Sequence, residues 1–253
     1  PYVPTTSSFP TVYAAEARIE ANPKGLVAFV PGVGAYVGGD TVAGLLACGL
    51  AERDELAFLV DIGTNGEIVL GNRDWLITCA CSAGPAFEGS GVRHGMRATA
   101  GAIEEIWIDH HTYETSYETI GQLPPRGICG SGMIGLLAEM FITGVIDKGG
   151  KIRRDLPTPR VRVGDHGGEY VVAWASQSDI GHDIVITEVD IENLLRTKGA
   201  IYAGFSVLVR SVGLELAEVE QVLIAGSFGQ YINVEKAIQI GLLPDMPWDR
   251  FHY

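Results

Sequence analysis

Leu56–Gly71, LAFLVDIGTNGEIVLG, is the stretch that decides how this chain is read. It opens with an apolar run, Leu56 to Val60, and reaches an acid at Asp61. It then passes through the small residues Gly63-Thr64-Asn65-Gly66 and leaves through Ile68-Val69-Leu70. Two apolar runs joined through Asn-Gly predict a β-hairpin, because Asn and Gly tolerate the positive φ that tight turns require. Gly63 has no Cβ and lets a ligand approach the backbone. Successive N–H groups around Gly63, Thr64 and Asn65 can converge on an anion. Asp61 ends a buried strand, an expensive place for a charge unless it is paired or serves a metal. The stretch therefore suits a phosphate-and-magnesium site. It suits equally an ordinary hairpin in which Asp61 caps the turn and the Thr64 hydroxyl bonds to it. On its own it does not choose.

The rest of the chain narrows the field. At 253 residues, 47% hydrophobic and 19% charged, it is a globular chain able to bury a substantial core. Its net charge of −13 argues against a nucleic-acid or anionic-membrane surface. No apolar run reaches a membrane span, and no secretory signal opens the chain. Of the four cysteines, Cys48, Cys79, Cys81 and Cys129, only Cys79 and Cys81 are close. One intervening residue is not a usual metal spacing. They read as small buried residues on one face of a strand, and no iron–sulfur cluster is expected on this chain.

Residues 1–30 read as an irregular opening segment, with a short helix at Ala14–Ala21 and a short strand from Gly25 to Val30. Gly38-Gly39-Asp40-Thr41 leads into a helix from Val42 to Leu50, with Asp40 as the candidate N-cap. Trp75 to Cys81 should form a third strand beside the hairpin. The loop Ser82–Gly89 carries one aromatic and one acid. Ile103–Ile108 and Thr115–Ile120 should pair around the polar tip Asp109–Thr112. In GICGSGMIG, Gly130, Gly132 and Gly135 satisfy GxGxxG. No buried strand precedes them, so they read as a tightly packed helix start rather than a dinucleotide site. Residues 147–170 are polar and give no clear element. Thr187-Glu188-Val189-Asp190 opens a long helix with a capping-box pattern, reaching about Val212. Val222–Ala225 is a buried strand, followed at once by Gly226-Ser227-Phe228-Gly229 and then a helix. That layout places a ligand at the carboxyl end of a strand.

Two glycine loops, each ending a buried strand, with a long helix before the second, form a more specific signal than either alone. The combination resembles the actin, sugar-kinase and heat-shock-chaperone ATPases. The runs YVGGDTVAGLLACGL, LVDIGTNGEIVLGN, SAGPAFEGSGVRHGMRATAGAIE, GICGSGMIGLLAEMFITGVID and IAGSFGQYINVEKAIQIGLLP resemble, more closely, the reductive activators of corrinoid proteins.

The resemblance implies an α/β, actin-like (ribonuclease H-like) ATPase lobe with a mixed sheet, incomplete at both ends and occupying 31–253. It implies the C-terminal part of a longer, cytoplasmic activator that couples ATP hydrolysis to reduction of cobalt(II) corrinoid to cobalt(I). Gly63, Thr64, Asn65 and Gly66 would contact the terminal phosphates. Asp61 would hold magnesium through water or orient the attacking water. Gly226, Ser227, Phe228 and Gly229 would bracket the adenosine, and Lys198 or Arg196 would reach the ribose or phosphates. Ser227 stands where the family usually shows a second glycine. The partner would be a corrinoid protein, either a methyltransferase component or a corrinoid iron–sulfur protein, with a homodimer allowed. A 2Fe–2S cluster is expected only in an N-terminal part outside these residues. The family's earlier Asp-x-Gly-Thr-Thr phosphate loop is missing. Two alternatives therefore stand beside this reading: a small-molecule kinase of the same superfamily, and a non-catalytic docking or dimerisation lobe.

Overall fold

The computed structural model describes residues 6, 8–34, 36–165, 167–226 and 231–253. Its organising element is a mixed five-stranded sheet. The strands are numbered in chain order: β1 (Val12–Tyr13), β2 (Leu26–Val27), β3 (Ala57–Ile62), β4 (Gly66–Gly71), β5 (Leu76–Cys81), β6 (Ala102–Ile108), β7 (Thr115–Thr119), β8 (Gly127–Ile128), β9 (Val161–Gly164), β10 (Gly167–Ala173), β11 (Ile184–Thr187), β12 (Gln221–Ala225) and β13 (Phe251–His252). The central sheet runs β13-β12-β3-β4-β5. β3, β4 and β5 form an antiparallel meander, whereas β12 joins β3 in parallel. The predicted hairpin and its third strand are thus present.

Alternation along β3 sends its side chains to two different layers. Phe58, Val60 and Ile62 belong to the large core, and Ala57 and Leu59 to a smaller one. The large core is closed by α3 (Glu188–Ser211), which lies over β4 and β5. Thr187 accepts from the Asp190 backbone N–H, and the Asp190 side chain accepts from the Thr187 backbone, completing the expected capping box. Leu194, Ile201, Phe205 and Leu208 recur at helical spacing and are all buried. Phe205 meets Phe58 edge-on at 4.8 Å between ring centroids. Such a pair contributes about 0.5–1.5 kcal/mol beyond the burial of its area.

The smaller core is covered by α1 (Gly39–Cys48), through Leu45 and Cys48, with Leu50 just beyond its end. Its N-cap is Gly38, with no side-chain cap. Asp40 lies inside the first turn, where its Oδ1 accepts from the Thr41 N–H, so the cap assigned to it from sequence is corrected.

α2 (Gly130–Ile142) packs on β6. A Cβ on Gly132 would stand 2.3 Å from the Ile103 carbonyl oxygen, so this glycine is spent on close packing, as expected. β6 pairs antiparallel with β7 and parallel with β8, and β9, β10 and β11 form a third sheet. The described residues of the opening segment show turns over Ala14–Arg18 rather than a helix. Their strand is limited to Leu26–Val27, paired with β1. The Tyr13 and Ala14 backbone groups are taken by Glu16 and Gly25, which competes with a helix there.

The polar stretch 147–170 hides β9, whose burial is only partial and so gives no apolar run. Its neighbour Arg160 is 3% exposed and donates to Glu114 and to the Val171 and Val172 carbonyls. A buried cation with that many acceptors holds this polar segment to the fold where apolar burial does not.

Candidate nucleotide site

The site forms where β3, β4 and β12 end. β3 and β4 are equidistant from Thr64, so Asp61 stands directly across from Glu67, and β12 places Ala225 beside Asp61 on the other flank. Gly226 follows with φ +88°, and a Cβ there would lie 2.7 Å from Asp61 Oδ1. Glycine is thus required twice over at this position, by backbone conformation and by the carboxylate pressed against it. The first residue of the second glycine turn therefore touches the acid of the first. Ser227, Phe228 and Gly229 lie outside the described residues.

Asp61, on the α1 side of the sheet, is only half-buried, yet its carboxyl is pushed above the usual range, first by burial and then by the charge of Asp40. Glu67 is raised as well, with burial the largest cause and Asp61 and Asp40 adding to it. No Lys or Arg pairs with any of the three among the described residues. Nor do three acidic, His or Cys side chains converge closely enough there to bind an ion directly.

At the tip, the Gly63 N–H donates to the Asn65 carbonyl at 2.9 Å, and Thr64 and Asn65 are exposed. Nothing within 3.7 Å crowds the side of Gly63 where a Cβ would be. Gly66 is different: it is buried, and a Cβ there would stand 3.2 Å from Ile201 of α3.

The loop after β5 closes over the hairpin. The Gly84 N–H donates to the Thr64 carbonyl at 2.9 Å, and the Thr64 hydroxyl donates to Glu88 Oε1 at 2.7 Å. The same loop is fastened to α3, because Ala83 accepts from the Thr197 hydroxyl and Gly91 from the Asn193 amide. Sequence reading assigned no role to Glu88 or Glu67 and made Asp40 a cap. The signal for Glu67 was available, since symmetry about Thr64 sets it across from Asp61. Glu88 reaches the tip only through the folding of its loop, which no local pattern reveals.

Lys198 lies on α3 with its ammonium 3.3 Å from where a Cβ on Gly241 would stand, in a groove of about 290 Å³ shared with Phe141, Ile146 and Leu195. Gly241 follows α4 (Val234–Gln239). Arg196 is engaged with Glu192 one turn away.

The thiols occupy different packing environments. Cys48 is on α1, Cys129 donates to the Ile103 carbonyl, and Cys79 and Cys81 lie 3.9 Å apart facing α3. Their shared hydrogen bond, with burial, pushes the Cys79 thiol up.

A hairpin with an acid and a Gly-Thr tip, flanked in parallel by a strand that runs into Gly226, with helices on both faces of the sheet, defines an actin-like ATPase lobe. The chain belongs to the RACo family: residues 55–253 match the model described as the C-terminal domain of RACo, the ASKHA domain, and residues 1–53 match the RACo middle region. A solved reductive activator for corrinoid, iron–sulfur protein superposes with a TM-score of 0.92 at 54% identity, over 100% of this chain and 40% of the other. The corrinoid activation enzyme RamQ of Eubacterium limosum is 39% identical over 90% of this chain and 39% of its own length. A reductase of a cobalt(II) methylated amine-specific corrinoid protein, from Methanosarcina barkeri, is 28% identical over 85% of this chain and 39% of its own length. The chain thus spans about two fifths of the relatives it matches. No helix among the described residues is long and apolar enough to cross a membrane.

Proposed function

We propose that this chain carries the second phosphate hairpin and the adenosine turn of a cytoplasmic, ATP-hydrolysing activator that returns cobalt(II) corrinoid proteins to cobalt(I). The observation that supports the reading is that a Cβ on Gly226 would lie 2.7 Å from Asp61 Oδ1, so the first residue after β12 stands beside the acid of the hairpin. The Thr64 and Asn65 backbone N–H groups receive the terminal phosphates, the Gly63 N–H being bonded within the tip to the Asn65 carbonyl, and Gly226, with Ser227, Phe228 and Gly229, holds the adenosine.

Magnesium fits the residues present. Asp61 and Asp40 supply hard oxygen donors, and their mutual repulsion with no paired side-chain cation favours a bound divalent ion. With no three such groups converging among the described residues to ligate directly, Asp61 would hold it through water. When bound, magnesium neutralises charge on the phosphate oxygens. Asp61 would position the ion, and the hairpin backbone fixes the phosphates. The electron comes from a 2Fe–2S centre elsewhere in the longer polypeptide, and the partner is a corrinoid protein.

The test is an anaerobic assay of the full-length polypeptide with a corrinoid protein, following the cobalt(I) absorbance. ATP-dependent cobalt(I) formation is expected. Reduction that proceeds at the same rate without ATP contradicts the proposal.

A further inference from the structure

We propose that Glu88 is the carboxylate that takes the proton from the attacking water during ATP hydrolysis, with Asp61 left to hold magnesium. This rests on the reading that the hairpin binds ATP, and it divides between two residues a task that sequence reading gave to one.

Glu88 ends a single 3-10 turn, Ala86–Glu88, in which Ala86 and Phe87 are buried in the core and Glu88 alone faces solvent. The turn is rigid: the Glu88 N–H and the Ser90 N–H both donate to the Pro85 carbonyl. Gly89, at φ +91°, packs so closely on Gly95 that a Cβ on either would overlap the other's backbone region. The carboxylate is thereby held over the hairpin tip. One oxygen accepts from the Thr64 hydroxyl at 2.7 Å, and the same oxygen lies 3.8 Å from where a Cβ on Gly63 would be. The other oxygen has no partner among the described residues, and no Lys or Arg pairs with Glu88 there.

A fixed, unpaired carboxylate is out of place against a polyanion unless it has a proton to accept. Opposite charge is supplied on the other flank, where Asp61 and Asp40 attract the cation. Glu88 offers what that flank lacks, a solvent-facing base within hydrogen-bond reach of the hairpin tip. In the step, the water oxygen bonds to the γ-phosphorus and the bond from that phosphorus to the β,γ-bridging oxygen breaks. The electron pair leaves with ADP, and the water proton passes to the Glu88 carboxylate and then to solvent. ATP and water give ADP, phosphate and one proton.

The decisive variant is Glu88→Gln, assayed in the full-length polypeptide with its corrinoid partner. Glutamine keeps a carbonyl that can accept from Thr64, so a residue that merely anchored the tip would be replaced without loss. The expected result is a fall in kcat of about 100-fold or more. Binding of ATP and ADP should stay within about threefold. Turnover within threefold of the wild type overturns the assignment while leaving the nucleotide site intact. Parallel loss of affinity and kcat also overturns it, by showing that Glu88 only shapes the hairpin. A wild-type polypeptide that binds no ATP removes the underlying reading, and Glu88's role with it.

Discussion

Asp61 is a residue whose environment opposes its charge. Burial and Asp40 raise its pKa, so in the absence of a cation the ionised form is less stable in the fold than in the unfolded chain. The native state therefore binds more protons than the unfolded one between the ordinary carboxylate value and the raised value, and stability falls as pH rises through that window. Asp61→Asn removes the penalty. At neutral pH and without magnesium, thermal denaturation of the variant should give a midpoint above that of the wild type. The difference should vanish below the unfolded carboxylate value, near pH 3.8. A variant less stable than the wild type at pH 7 would mean that Asp61 is a hairpin cap. The sequence displayed Asp61, Gly63 and Thr64 because a buried strand ending in an acid and a small-residue tip is a local pattern. It could not display Asp40, which arrives from a helix packed on the opposite side of the sheet from α3.

Among the elements, the join between α3 and the β4–β5 ribbon positions the hairpin. Gly66 meets Ile201, and one turn on, a Cβ at Gly204 would stand 2.3 Å from the Cys81 sulfur and 2.8 Å from Ile68 Cδ1. Gly204→Ala should therefore destabilise the fold by about 1–3 kcal/mol, the usual cost of overpacking, despite alanine's better helix propensity. Adding Cys81→Ala should recover much of that loss, as urea denaturation of the single and double variants would show. A stabilising Gly204→Ala would mean that helix and sheet are farther apart than described.

At this scale the capping box of α3, the hairpin, β12 and α4 were legible, because each is written in contiguous residues. β9 and β11 were not: β9 is only partly buried, and β11 is four residues joined to the start of α3. The segment holding β9 is secured by Arg160, which reaches Glu114 across 46 positions of sequence.

For the whole molecule, the parallel pairing of β12 with β3 is the decisive fact, because it brings residues more than 160 positions apart to one end of the sheet. Neither glycine motif alone implies the other's position; the parallel register sets Ala225, just before the second, beside Asp61, just before the first. The most direct check is a calorimetric titration of ATP into the full-length polypeptide, wild type and Asp61→Asn, with magnesium and with a chelator. The expected result is saturable binding that magnesium strengthens in the wild type. In Asp61→Asn, binding should remain within about tenfold while the magnesium dependence is lost, because backbone N–H groups supply most of the affinity and the carboxylate serves the ion. Absence of saturable binding in the wild type, or an unchanged magnesium dependence in Asp61→Asn, would contradict the account.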